Sequence, residues 1–265
     1  MIVNRSLWCA AVTLVAVGGL RAPQVSYAAA ASELNAAIER GDESYARGQL
    51  REALAAYQSA QSRDASHYPV LLGLARVESE LGEDAKDEER RRLVAAAVEH
   101  ARAAVKISPD LAQGHVWLAV ALRQQTEMEG PKTRAGLWRE IRSELDRAIG
   151  IDPSIWRAYL ERGRWNRRLS TRGIWERTWS KVLLAKVPKG ASMDNALRDL
   201  EKSVELAPDA LDARMELARA YLEVEREGDA RRELERALGM PAHRPRDPVL
   251  HAEARELLEK LAKRG

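Results

Sequence analysis

Five histidines, one cysteine and many carboxylates are the residues of this 265-residue chain that could do chemistry, and their spacing gives them none to do. His67, His100, His115, His243 and His251 include no His-x-x-x-His pair, the spacing that sets two imidazoles on one helix face to hold zinc. No metal and no cofactor is therefore expected. Cys9 falls in an N-terminal apolar run. No strand followed by a glycine-rich loop and Lys-Ser/Thr is present to cradle a phosphate, and no serine is marked as a nucleophile with a nearby base. The chain is not expected to be an enzyme.

What the spacing does offer is recognition chemistry. Between Arg157 and Lys189 ten basic residues face only two acids, Glu161 and Glu176, and Trp156, Trp165, Trp175 and Trp179 are interleaved with them. A guanidinium presents a planar fork of donors, and an indole presents a flat apolar face. The whole chain is nearly balanced, with 43 Lys and Arg against 40 Asp and Glu. Its charge is thus a local feature that bears on partners rather than fold, and no nucleic-acid partner is expected.

These residues need a frame, and a helix ending written three times supplies it: Ala104-Val-Lys-Ile-Ser-Pro109, Ala148-Ile-Gly-Ile-Asp-Pro153 and Ser203-Val-Glu-Leu-Ala-Pro208. Proline lacks the backbone donor a helix interior needs and pushes its predecessor out of the α region, so it stops one helix and can open the next. Ten residues after each stop stand Ala119, Gly163 and Ala218, and twelve before stand Ala97, Ile141 and Ala196. Small residues there let two helices of a hairpin approach closely. This is the tetratricopeptide pattern, an antiparallel helix pair recurring about every 34 residues. Gly48, Leu50, Ala53, Tyr57 and Ala60, then Leu71, Leu74 and Ala75, fit earlier copies, and Tyr221, Ala230, Leu234 and Ala237 complete the last. The expected fold is all-α, a right-handed α-α superhelix over residues 32–265 with a concave inner face. A C-terminal capping helix is expected from Pro245 to Lys263, with Val249, Leu250, Ala254, Leu257, Leu258 and Leu261 on its apolar stripe.

The stops are unevenly spaced. The first surplus is assigned to a loop, Gln124–Gly136, and the second to an inserted amphipathic helix at about 174–186, whose Trp175, Trp179, Val182 and Leu183 share one side. Nine residues after the stops stand Leu118, Arg162 and Leu217, and thirteen after stand Leu122, Asn166 and Tyr221. Arg162 and Asn166 therefore occupy core places, where a guanidinium must be paired or face a polar cavity. Glu144, Glu176 and Glu201 are the acids expected to pair it. Repeat phase gives His115, Arg123, Tyr159, Arg162, Asn166 and Arg214 as the concave contact set.

Leu160-Glu-Arg-Gly163-Arg164-Trp165, then Ile174-Trp-Glu-Arg177, a short apolar helix, Pro188, and Ser192-Met-Asp-Asn-Ala196-Leu197 resemble the regulator of microtubule dynamics family. Gly41-Asp42-x-x-Tyr45-x-x-Gly48 and Gly130-x-Lys132-x-Arg134 are similar to the same family. Gly163, Arg164 and Trp165, with the inserted helix, separate it from other tetratricopeptide proteins. The resemblance implies a non-catalytic helical-repeat domain, often tethered by an N-terminal apolar segment. Animal members associate with microtubules or organelle contacts and in part with lipids. This chain departs from the family at Arg162, where a leucine is usual, and at Asn166-Arg-Arg.

Arg5, the apolar run Leu7–Leu20 and Ala28-Ala29-Ala30 have the order of a secretory signal peptide, expected at residues 1–30. The run is short of the about 20 apolar residues that a membrane span needs. An exported, periplasmic protein is expected, with inner-membrane anchoring through residues 7–20 as the alternative. The function expected is a non-catalytic scaffold for protein-protein interaction in the bacterial cell envelope, holding a protein or peptide ligand. The alternative is a lipid or amphiphile carrier whose Trp175, Trp179 and Lys181 meet anionic lipid at a membrane surface.

Overall fold

A computed structural model describes residues 24–172 and 190–263, and in it the three proline stops adopt one geometry. The amides of Ser108, Asp152 and Ala207 donate to the carbonyls of Ala104, Ala148 and Ser203, closing the last turn of each helix. The amides of Leu111, Ile155 and Ala210 then donate back to the carbonyls of Ser108, Asp152 and Ala207 at 3.1–3.2 Å. Each proline thus sits in a short turn between helices, where its missing donor leaves no ladder bond unmade.

The described residues contain eleven helices and no strand. They run α1 (Gln24–Ala46), α2 (Leu50–Gln61), α3 (Tyr68–Asp84), α4 (Asp87–Ile107), α5 (Ala112–Gln125), α6 (Pro131–Ile151), α7 (Trp156–Arg172), α8 (Met193–Leu206), α9 (Leu211–Glu223), α10 (Glu227–Leu238) and α11 (Asp247–Ala262). Successive helices pack as antiparallel pairs, α1 with α2 through α9 with α10, and the odd-numbered helices α3, α5, α7 and α9 also pack on one another. The odd helices consequently line the inside of a right-handed superhelix, with the even ones outside.

Small residues set how closely each pair approaches. A Cβ at Gly163 would lie 2.6 Å from Cγ of Leu200, so α7 and α8 meet where only glycine fits. Gly41 and Gly73 do the same for the buried ring of Tyr57, from which an added Cβ would lie 2.6 and 2.5 Å. Ala119, Ala218, Ala97, Ile141 and Ala196 are all buried at the corresponding approach points. The capping helix α11 closes the last pair by burying Ala254 and Leu261 with Leu250, Leu257 and Leu258 against α9 and α10.

Two sequence expectations change. The first surplus residues are not a long loop, because α5 runs to Gln125 and α6 resumes at Pro131, so the extra length is helical. Arg134 holds that short turn by donating to the carbonyls of Thr126 and Glu129. Val249 is 60 % exposed and does not belong to the buried stripe of α11. The first helix, α1, begins at Gln24 and includes Ala28-Ala29-Ala30. The apolar run at 7–20 and the inserted segment at 174–186, with Trp175, Trp179 and Lys181, lie outside the described residues. No described helix is long and apolar enough to cross a membrane.

Candidate functional site

The superhelix brings its last turn back onto its first. Pro245 packs against Gly48, where an added Cβ would lie 3.2 Å from Pro245 Cδ, and Gly48 takes the left-handed φ of +72° that favours glycine. Next to it Arg246 pairs with Glu83 and approaches Asp84 at 3.4 Å. The concave face is thereby rolled into a cavity of about 480 Å³.

The lining follows one register counted from the proline stops. Four, eight and eleven residues after Pro153 come Arg157, Glu161 and Arg164; at the same counts after Pro208 come Asp212, Glu216 and Arg219. After Pro109 the inward positions are Trp117, Val120 and Arg123, at eight, eleven and fourteen. These spacings hold one face of a helix, and the face is repeated because the repeat is. Trp138, Trp165 and Arg168 close one side, Glu80 and Glu83 another, and Arg244, Arg246 and Leu250 complete the ring.

Two carboxylates organise the inner face. Glu161, 2 % exposed, accepts from Arg123 Nε at 2.9 Å and from Arg164 Nη1 at 2.6 Å. Burial pushes its pKa up, and Arg164, Arg123 and Arg157 outweigh that and hold it below the usual carboxylate range. Glu216 lies among Arg164, Arg167 and Arg219 at 3.3, 2.9 and 2.7 Å. Burial opposes its ionisation too, yet Arg164, Arg167, Arg219 and Arg123 bring it down to about 2. Arg164 stands between the two carboxylates, and its pKa is raised, burial working against Glu161, Glu216 and Asp212. The network links α3, α5, α7 and α9 across the cavity wall, since Arg123 also donates to Glu83 at 2.9 Å.

Of the six residues that repeat phase proposed as concave contacts, Arg123 lines the cavity; the other five sit elsewhere. His115 and Arg214, each six residues after a proline, hold their helix pairs together. His115 bridges Glu144 Oε2 at 2.5 Å and the Pro109 carbonyl at 3.0 Å; Arg214 donates to Glu233 Oε2 at 2.7 Å and to the Pro208 carbonyl. Arg162 is paired to Asp199 and Asp146, not to the glutamates expected, and Asn166 shares Asp199 with it. Tyr159 lies under the Arg162 guanidinium at 5.5 Å. The motif Gly163-Arg164-Trp165 divides its work: Gly163 admits Leu200, while Arg164 and Trp165 line the cavity, the indole anchored by donation to the Trp138 carbonyl at 2.8 Å. Arg157, Glu161, Asp212, Glu216 and Arg219 were not singled out as contacts from sequence. Counting four, eight and eleven from the prolines, instead of six, nine and thirteen, would have found them.

Paired helices wound around such a cavity define a tetratricopeptide-type helical solenoid. The family model described as regulator of microtubule dynamics protein 1-3 matches residues 37–262, and the chain belongs to that family. Regulator of microtubule dynamics protein 1 of Mus musculus is 26% identical over 201 residues, covering 75% of this chain and 66% of that protein. Protein 3 of Rattus norvegicus is 28% identical over 194 residues, covering 72% and 41%. The chain thus spans less than two thirds of the length of these relatives. Among solved structures, a thermophilic TPR protein of Thermus thermophilus superposes with a TM-score of 0.63 at 22% identity, over 85% of this chain and 98% of that one. The pilF protein of Pseudomonas aeruginosa gives 0.53 at 17%, over 89% and 91%. These likenesses show the fold.

Proposed function

We propose that this protein is a non-catalytic scaffold that holds a peptide or a segment of a partner protein inside its superhelix. The observation that carries the reading is the cavity itself, whose groups are guanidiniums, carboxylates and indole faces in one repeated register. Such groups recognise by hydrogen bonding, charge and stacking. Its volume falls within the about 300–1,000 Å³ of ligand pockets, enough for a few side chains of an extended peptide. The paired arginines of the wall are already ordered by Glu161 and Glu216, so little side-chain freedom is lost on binding.

The test is a random-peptide selection on the full chain, followed by hydrogen-exchange footprinting of the selected peptides. Protection confined to α5, α7, α9 and the Arg244–Leu250 turn is expected. Footprints on the outer helices α4, α6, α8 and α10, or no selected peptide, would remove the reading.

The cell envelope is the compartment we infer, from the order of Arg5, the apolar run and Ala28-Ala29-Ala30. Mass spectrometry of the native chain, fractionated from its own cells, decides it. A mature N-terminus close to Ala31 is expected, and an intact N-terminus in the cytosolic fraction would contradict it.

A further inference from the structure

The arginines of the cavity differ in how their donors are used. Arg123, Arg164 and Arg219 each donate hydrogen bonds to the carboxylates beside them. Arg157 and Arg244 do not. Both point a terminal nitrogen at the same oxygen, Oδ2 of Asp212, and stop short of hydrogen bonding: Nη1 of Arg157 at 3.6 Å and Nη1 of Arg244 at 4.0 Å. Among the described residues neither guanidinium donates a hydrogen bond to anything, although the Arg157 side chain is only 15 % exposed. What holds Arg157 in place is aromatic: Trp117 and Trp156 lie 5.1 and 4.5 Å from its guanidinium carbon.

We propose that Arg157 and Arg244 form a subsite for a carboxylate carried by a peptide ligand, with Asp212 as the internal group that stands between them until the ligand arrives. This rests on the peptide-binding reading of the cavity and names the chemistry it selects. A guanidinium that makes no hydrogen bond within the protein is open to a ligand, and a carboxylate matches its planar fork through two parallel bonds. Glu80 and Asp247 also line the cavity near this end, and both Glu80 and Asp247 interact electrostatically with Arg244. A dianionic phosphate brought between them would meet those acids as well as Asp212, so carboxylate is favoured over phosphate. Leu50 and Leu250, in the same cavity lining, offer apolar surface for other residues of the peptide.

The experiment uses the full chain and two matched heptapeptide libraries. One carries a fixed Asp or Glu and a free C-terminus; the other carries Asn or Gln in its place and a C-terminal amide. The carboxylate library is expected to be retained at least about tenfold better, the span of a charge-assisted pair. The exposed Arg244→Gln should cut that preference severalfold with an unchanged melting curve, and Arg157→Gln with Arg244→Gln should abolish it. Asp212→Asn, which removes the internal competitor, should strengthen binding of carboxylate peptides; weaker binding in this variant would overturn the proposal. Equal retention of both libraries would overturn the carboxylate subsite and leave the peptide reading standing. Retention of neither library, with or without binding to vesicles of phosphatidylglycerol and phosphatidylcholine, would overturn both. Amidating only the C-terminus, then replacing only the acidic side chain, distinguishes the two sources of the carboxylate.

Discussion

The guanidinium of Arg162 lies on the carboxylate of Asp199 through two parallel hydrogen bonds, Nε to Oδ2 at 2.9 Å and Nη2 to Oδ1 at 2.7 Å. Asn166 Nδ2 adds a third bond to Oδ2 at 3.1 Å, and Asp146 takes the remaining Arg162 nitrogen at 2.9 Å. Asp199 is 6 % exposed. The polar residues that replace leucine and tyrosine in this repeat are therefore answered by one acid from the next helix, and the pair joins α7 to α8 away from the cavity.

Removing that acid alone should be severe. Asp199→Ala leaves a partly buried guanidinium and a buried amide without their main acceptor, and about 3–5 kcal/mol of unfolding free energy should be lost. Urea denaturation measures it. Changing Arg162→Leu and Asn166→Tyr, residues found at these places in sibling repeats, together with Asp199→Leu should recover most of the loss, because the burial of charge disappears with the charges.

Gly163→Ala should cost about 1–3 kcal/mol, since the new Cβ would lie 2.6 Å from Leu200 Cγ in a packed pair. Gly130→Ala, where an added Cβ meets nothing within 4 Å, is the control and should be near neutral. Thermal melts of the two variants compare them directly.

The inner network should make the fold sensitive to acid. Glu216 has a pKa of about 2 when folded, against 4.5 for the free group. Its contribution is therefore complete above about pH 5 and is lost as the pH falls towards 2, the unfolded chain binding the proton first. The loss should be on the order of a few kcal/mol. Urea midpoints across that range should fall in the native chain, and the fall should be shallower in Glu216→Gln, which starts lower.

Closure of the ring depends on the Arg246 contact. Arg246→Glu sets a third acid beside Glu83 and Asp84 and should part the Arg244–Arg246 turn from α3. Small-angle scattering should report a larger radius of gyration with unchanged helix content. High salt should widen the native ring less than the substitution does, because the native pairs are half buried.

The pattern of small residues and prolines made the helix pairs legible before any coordinates: Ala119, Gly163 and Ala218 are at the approach points that their common distance from a proline implied. Register alone also distinguished Arg162 and Asn166 as polar residues in core places. It could not say what answered them, because Asp199 looks in the sequence like any surface acid of an amphipathic helix. Nor did it choose the inward face, since positions six, nine and thirteen after a proline are as periodic as positions four, eight and eleven. Which stripe faces the axis depends on how far each pair rotates on the last.

By itself, then, the chain's sequence determined a repeat: local backbone chemistry at each proline and the size of residues at fixed distances from it are enough to specify paired helices. The tertiary structure decided where that repeat leads. Small rotations accumulated over five pairs bring Pro245 to Gly48 and Arg246 to Glu83, and they turn an open concave face into a cavity. They also set Arg157 and Arg244, 87 positions apart in the chain, on one oxygen of Asp212. No local periodicity encodes that meeting, because it is the sum of every packing angle between them.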